Sequence, residues 1–330
     1  MTVFDLTLRD IYSARARIAS IARRTPLVSS PVLAELTGTN VFLKLESLQE
    51  TGSFKLRGAA NKLLSLDPAA CQRGIITVSS GNHGRALAYV AHRLGLRAAV
   101  CLSDAVPANK RDAIQALGAE VVVSGSTYDE ATVEAYRLQR EEGLEMVHPF
   151  DDPLIIAGQG TIGLELLESY PGMDTVIVPL SGGGLLGGIA LALKSADPRI
   201  HVVGVSMERG PAMVESLRAG RVVDIVEEPT LADALAGGIN PNQYTFELIR
   251  DNVDETVLVS EEEIAAAMAF ALERHRLVVE GGGAVGIAAL LSGKVRRLGE
   301  NVAVVISGGN VDLPLLLQIA QDHLIDRRVR

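Results

Sequence analysis

The chain is expected to fold as an α/β protein of two open, twisted parallel-sheet domains that meet at a cleft. Three observations predict this. Short apolar runs at 75–78, 98–102 and 121–123 alternate with stretches of helical periodicity, and such alternation builds a parallel sheet covered by helices. A second alternating block begins near Gly163, which makes two sheets more economical than one. The length, 330 residues, matches about two domains of ordinary size.

Taken in order, helical periodicity runs over 6–22 and is stopped by Thr25-Pro26-Leu27, because proline excludes the helical region for the residue before it. A short helix over 31–36 ends at Gly38, a strand covers 41–45, and the segment from Thr51 leads into a helix over 58–66. Between Gly74 and Pro149 the expected order is strand 75–78, helix from Gly84, strand 98–102, helix from Asn109, strand 121–123, helix from Asp129 and strand 146–148. The later block reads as helix 163–170, strand 176–178, a glycine-rich turn, helix 185–194, strand 202–205 and helices through Arg250. Ser260 and Glu263 form a capping box for a helix over 264–272. A helix after Gly286, a strand over 302–306 and a helix from Pro314 finish the chain.

Composition narrows the function. A net charge of -9, 4% aromatic residues and no basic run argue against a nucleic-acid partner and for a small substrate. Cys71 and Cys101 are too few for a disulfide framework or a zinc site, so no metal is expected and the compartment should be reducing. Asp5, Arg9 and Asp10 near the start do not read as a secretory signal, and no apolar run reaches membrane-spanning length. The expected location is the cytoplasm.

The chemistry concentrates at Phe54-Lys55-Leu56-Arg57. A lysine opening a helix meets the positive end of the helix dipole and the charge of Arg57, and both lower the pKa of its amine. A partly neutral lysine suits Schiff-base chemistry with an aldehyde; the alternative is a lysine that snorkels from a surface helix.

Four loops join it. Ser181-Gly182-Gly183-Gly184-Leu185-Leu186-Gly187-Gly188 follows a strand and opens a helix, a setting in which backbone N–H groups and the helix dipole hold an anion such as a phosphate. The same loop satisfies G-x-G-x-x-G, with Glu208 beyond the next strand, so a nicotinamide enzyme competes. No Lys-Ser/Thr pair follows, which excludes a nucleotide-hydrolysing P-loop. Ser79-Ser80-Gly81-Asn82-His83-Gly84-Arg85 offers hydroxyls, an amide and helix-start N–H groups as a carboxylate seat; His83 by itself reads as a packed or solvated residue. Ser307-Gly308-Gly309-Asn310 presents a hydroxyl after the last strand, and Glu280-Gly281-Gly282-Gly283 places an acid beside glycines.

In this order the motifs Ser-Phe-Lys55-Leu-Arg-Gly-Ala, Ser80-Gly-Asn-His-Gly, Ser-Gly-Gly-Gly-Leu185 and Ser307-Gly-Gly-Asn resemble those of pyridoxal-phosphate enzymes of the tryptophan-synthase-β structural type, in the branch of threonine dehydratases and serine racemases. The resemblance runs nearly the whole length. It implies a cofactor cleft between a large domain of residues 1–72 and 151–330 and a small mobile domain of residues 73–150, and a homodimer. It implies that Lys55 carries pyridoxal 5'-phosphate, that Gly182, Gly183, Gly184 and Leu185 bind the phosphate, that Asn82 meets the ring hydroxyl and Ser307 the ring nitrogen, and that Phe54 belongs to the cofactor pocket. A neutral serine at the ring nitrogen favours β-elimination over transamination.

By the same resemblance Ser79, Ser80, Gly81, Asn82, His83 and Arg85 face a small amino-acid substrate, with Lys55 removing the α-proton on one face and Ser80 matching the opposite-face serine of the racemases. The expected reaction is loss of water from threonine, serine or 3-hydroxyaspartate, with racemisation as an alternative; a non-catalytic binding protein would not need Lys55, Ser80 and Ser307 together.

Three departures stand out. Ser206 and Ala212 replace the carboxylates of metal-activated relatives, Asp233 is followed by Ala234 where relatives have glycine, and Arg85 stands where they usually have glutamine. Arg85 beside the carboxylate seat suits a second carboxylate. The stretches at 204–211 and 237–239 also look similar to dehydratases of hydroxyectoine breakdown.

Overall fold

Runs of fully buried, largely β-branched residues fix where the sheets lie. The computed structural model describes residues 6–79, 81–106, 108–226, 228–239 and 243–329. Its strands are β1 (Leu27–Ser29), β2 (Asn40–Leu45), β3 (Ile75–Val78), β4 (Ala98–Leu102), β5 (Glu120–Val123), β6 (Glu145–Met146), β7 (Thr175–Pro179), β8 (His201–Met207), β9 (Glu255–Val259) and β10 (Asn301–Ile306). They form a six-stranded sheet of order β1-β2-β10-β7-β8-β9 and a four-stranded sheet of order β5-β4-β3-β6. The pair β1/β2 is antiparallel and the other pairs are parallel. Every residue of the central strands β7, β3 and β4 is buried, as strands covered on both faces require.

The two-residue strand period sorts the large core. Ile177, Val203, Val205 and Val304 pack with helices Glu261–Phe270 and Gly281–Leu291 on one face. Val176, Val178, Val202 and Val305 pack with helices Pro153–Ser169 and Gly184–Ala196 on the other. Each such side chain contributes about 1.5–3 kcal/mol on burial. No helix among the described residues is long and apolar enough to cross a membrane.

Several expectations need correction. Helix Pro153–Ser169 starts ten residues before the expected 163 and takes in Gly158 and Gly160, which helix propensity disfavours. They are contact points instead: a Cβ on Gly158 would lie 2.6 Å from the Arg57 carbonyl, and one on Gly160 2.8 Å from the Gly188 carbonyl. Likewise helix Gly281–Leu291 absorbs the glycines expected in a loop, and helix Lys55–Leu63 begins and ends three residues early. The first helix is shorter than expected, Leu8–Ile18. Strands β1 and β9, at the two edges of the large sheet, were not expected, and β6 ends at Met146 rather than His148. The capping box of Ser260 and Glu263 is present, and Gly38 closes helix Pro31–Thr37 at φ 73°.

Candidate functional site

The three glycine- and serine-rich loops that follow β3, β7 and β10 sit at the C-terminal ends of parallel strands, where open α/β sheets bind ligands. With Lys55 they line one cavity of about 1180 Å³. Phe54, Ser79, Gly81, Asn82, His83, Arg85, Gly182, Gly183, Gly184, Leu185 and Ser307 all line it. Ser80 lies outside the described residues.

Lys55 is the first residue of its helix. Its Nζ donates to the Pro149 carbonyl at 2.8 Å. Burial pushes its pKa down to about 8, against the pull of Glu280. The expected direction is therefore found, but its cause is different. Arg57 is 1% exposed and its guanidinium is spent elsewhere, with Nε 2.8 Å from Glu46 Oε2 and Nη1 2.6 Å from Glu165 Oε1. Lys44 joins the same buried cluster through Glu165 and the Thr25 carbonyl. Desolvation of the ammonium, not repulsion by Arg57, depresses the amine.

The helix Gly184–Ala196 is capped by Gly183 at φ 94°. The first helical N–H to find its intrahelical acceptor is that of Gly187, bonded to the Gly183 carbonyl at 2.8 Å. The preceding amides of a helix start have no intrahelical acceptor and suit an anion. A side chain there is excluded: a Cβ on Gly183 would lie 2.5 Å from Ile249 Cδ1, and one on Gly182 2.5 Å from the Phe150 ring. The buried Thr245 Oγ1 lacks a partner and lies beside Gly183. A cradle of bare backbone amides, opposite a lysine with a depressed pKa, fits a phosphorylated aldehyde.

On the other wall, helix Asn82–Leu94 starts without a side-chain cap, leaving its first amides for a ligand. Asn82 Nδ2 donates to Glu280 Oε1 at 2.7 Å, and Asn310 Nδ2 donates to Asn82 Oδ1 at 2.6 Å. Burial pushes the Glu280 carboxyl up to about 7, with the Asn82 bond working the other way. His83 is packed, 2% exposed; burial, with the Lys55 charge adding to it, drives its pKa down to about 3. Arg85 lines the cavity, and its buried Nε has no hydrogen-bond partner. Ser307 follows β10, 3% exposed, and its carbonyl accepts from the Phe54 N–H at 3.0 Å.

Glu208, the acid that would serve a nicotinamide ribose or a metal, pairs with Lys294 at 3.1 Å and is half exposed, outside the cavity lining. Sequence reading missed the segment 147–152, which supplies Pro149 and Phe150 to the cavity, because it lacks glycine or nucleophile signals. It missed Lys110 too, whose Nζ lies 3.1 Å from Asp233 Oδ2; only the placement of two distant segments brings them together.

The geometry agrees with comparison to known proteins. Residues 18–308 match the family described as pyridoxal-phosphate dependent enzyme. A putative threonine dehydratase of Sinorhizobium fredii is 53% identical over 312 residues, covering 94% of each chain. An L-threonine ammonia-lyase of Thermotoga maritima is 45% identical, covering 97% of this chain and 79% of its own. Among solved structures, maize serine racemase superposes with a TM-score of 0.91 at 34% identity, covering 98% of this chain and 100% of that one. This chain belongs to the pyridoxal-phosphate-dependent enzymes, with threonine dehydratases and serine racemases among its relatives.

Proposed function

We propose that the protein is an ammonia-lyase that removes water from a small β-hydroxy amino acid, releasing an imine that hydrolyses to a 2-oxo acid and ammonia. The observation that carries it is a half-buried Lys55 amine, its pKa lowered to about 8, in one cavity with a bare-amide cradle. When bound, pyridoxal phosphate withdraws electrons from the α-carbon of the attached amino acid. Lys55 holds the cofactor aldehyde and, once released, takes the α-proton as a general base. The amides of Gly182–Leu185 would hold the phosphate, Asn82 and Ser307 would orient the ring, Phe54 would line the cofactor pocket, and Ser79, Gly81, Asn82 and His83 would seat the substrate carboxylate at a helix start. By the resemblance, Ser80 is assigned the acid/base role of the racemases' serine. In this reading residues 73–150 are a lobe that closes over the substrate, and two copies work as a dimer in the cytoplasm.

Arg85 favours a dicarboxylic substrate, 3-hydroxyaspartate, as a step in hydroxyectoine breakdown would require. What supports it is a cavity-lining guanidinium whose buried Nε lacks a partner, since an Arg–carboxylate pair is bidentate and charge-assisted. The test is 2-oxo acid release from threonine, serine and the stereoisomers of 3-hydroxyaspartate. Arg85→Gln should lower kcat/KM for 3-hydroxyaspartate by about 10- to 100-fold relative to threonine. An unchanged ratio would remove Arg85 from the substrate site, and threonine or serine preferred by the unaltered enzyme would make it a catabolic threonine dehydratase.

A further inference from the structure

The segment 147–151 leaves the small sheet after β6 and meets four other parts of the chain in five residues. The Val147 carbonyl accepts from Thr77 Oγ1 at 2.8 Å, which ties the segment to β3. The Pro149 carbonyl accepts from Lys55 Nζ. Phe150 packs its backbone and ring against Gly184 and Gly182. Asp151 Oδ1 accepts from the Thr245 N–H at 2.9 Å, at the start of helix Tyr244–Asn252. A chain can meet all of these only if it turns sharply between residues 148 and 151.

His148 makes that turn. Its Nδ1 accepts from the backbone N–H of Phe150 at 3.2 Å and of Asp151 at 2.8 Å, as an Asx side chain does at a turn. The ring stands edge-on to Phe150, with centroids 4.7 Å apart. We propose that His148 is a positioning residue: its unprotonated Nδ1 folds the segment 147–151 so that the Pro149 carbonyl meets the Lys55 amine and Phe150 backs the glycine cradle, and protonation at Nδ1 undoes the turn. An Nδ1 that accepts two N–H groups carries no hydrogen, so the neutral ring is protonated at Nε2. A second proton would set an N–H against two N–H donors.

The charges around the ring agree. Burial holds the His148 pKa below the ordinary histidine value, and the facing Lys55 ammonium works the same way, while Asp151 and Asp152 on its own segment pull it upward. His83, on helix Asn82–Leu94, is the other titratable group that faces it, and it stays neutral until about 3. Because the folded pKa is lowered, the unfolded chain binds the proton first; stability contributed by the neutral ring is present above about 6.5 and is lost as pH falls through the folded pKa.

The catalytic consequence rests on Lys55 being the cofactor amine, but the turn itself does not, so the two are tested separately. Hydrogen exchange of the holoenzyme, corrected for the intrinsic pH dependence, reads the Phe150 and Asp151 amides. The unaltered protein should protect them at neutral pH and lose protection as pH falls below about 6.5. His148→Asn, whose Oδ1 can accept the same two bonds without titrating, should keep protection through that window. His148→Leu should lose it at every pH, with kcat lower by about 10- to 100-fold and KM little changed, and His148→Asn should restore most of kcat. The proposal is overturned if His148→Leu is as protected as the unaltered protein, or if His148→Asn loses protection at the same pH as histidine. A His148→Leu protein protected normally but slow would instead point to a direct catalytic role for the ring and also overturns it. Normal turn behaviour in an enzyme that carries no cofactor on Lys55 would spare the turn and sink the functional reading.

Discussion

At Lys55 the chain bears an electrostatic cost of burial. Its folded pKa, about 8, lies below the ordinary value of 10.5. The unfolded chain therefore binds more protons between these two values, and the penalty is fully present below 8 and fades as pH rises toward 10.5. Lys55→Met in the cofactor-free protein is expected to be more stable than the unaltered protein at pH 7, with the difference shrinking from pH 8 upward, as urea denaturation across that range would show. A constant or inverted difference would mean that the amine is not desolvated. The grouping of Lys55 with the serine- and glycine-rich loops in one cavity was legible in the sequence, because its flanking residues and the ordered loops are local signals. The reason for its low pKa was not, because Glu46 and Glu165 neutralise Arg57 from distant parts of the chain.

Among the elements, the buried helix Pro153–Ser169 shows packing overriding propensity. Glycine in a helix costs about 1 kcal/mol relative to alanine, so propensity disfavours a helix that runs through Gly158, Gly160 and Gly163. Close approach of Gly160 to the Gly188 backbone and to Ile11 outweighs that propensity. Gly160→Ala should therefore destabilise by about 1–3 kcal/mol through overpacking, where propensity alone would stabilise; a denaturation midpoint that rises contradicts the packing argument. The opposite sign is expected at Arg276, which ends the π-helical turn Ala271–His275 at φ 60°. A left-handed non-glycine cap is strained. Arg276→Gly should stabilise by about 0.5–1 kcal/mol, as read from the same midpoint.

For the whole molecule, the alternation of strands and helices and the parallel core of both sheets were readable because each buried strand carries its own apolar run, whereas the antiparallel edge strand β1 was not. How the sheets face one another was not readable either, since the bonds that cross between them join residues far apart in sequence: Lys110 with Asp233, Lys62 with Glu145, Asn82 with Glu280 and Asn310, and Lys55 with the Pro149 carbonyl. The first of these is exposed, and an exposed pair adds at most about 1 kcal/mol. Asp233→Asn should leave the denaturation midpoint nearly unchanged while speeding hydrogen exchange in helix Ala108–Ala116; equal exchange would mean that the pair does not hold the small sheet in place. These crossings matter only if the cavity they enclose holds the cofactor at Lys55. The most direct measurement is peptide mapping by mass spectrometry after borohydride reduction of the protein reconstituted with pyridoxal phosphate. The reduced phosphopyridoxyl group should lie on Lys55 alone, and label on Lys62 or Lys110, or on no lysine at all, would contradict the account.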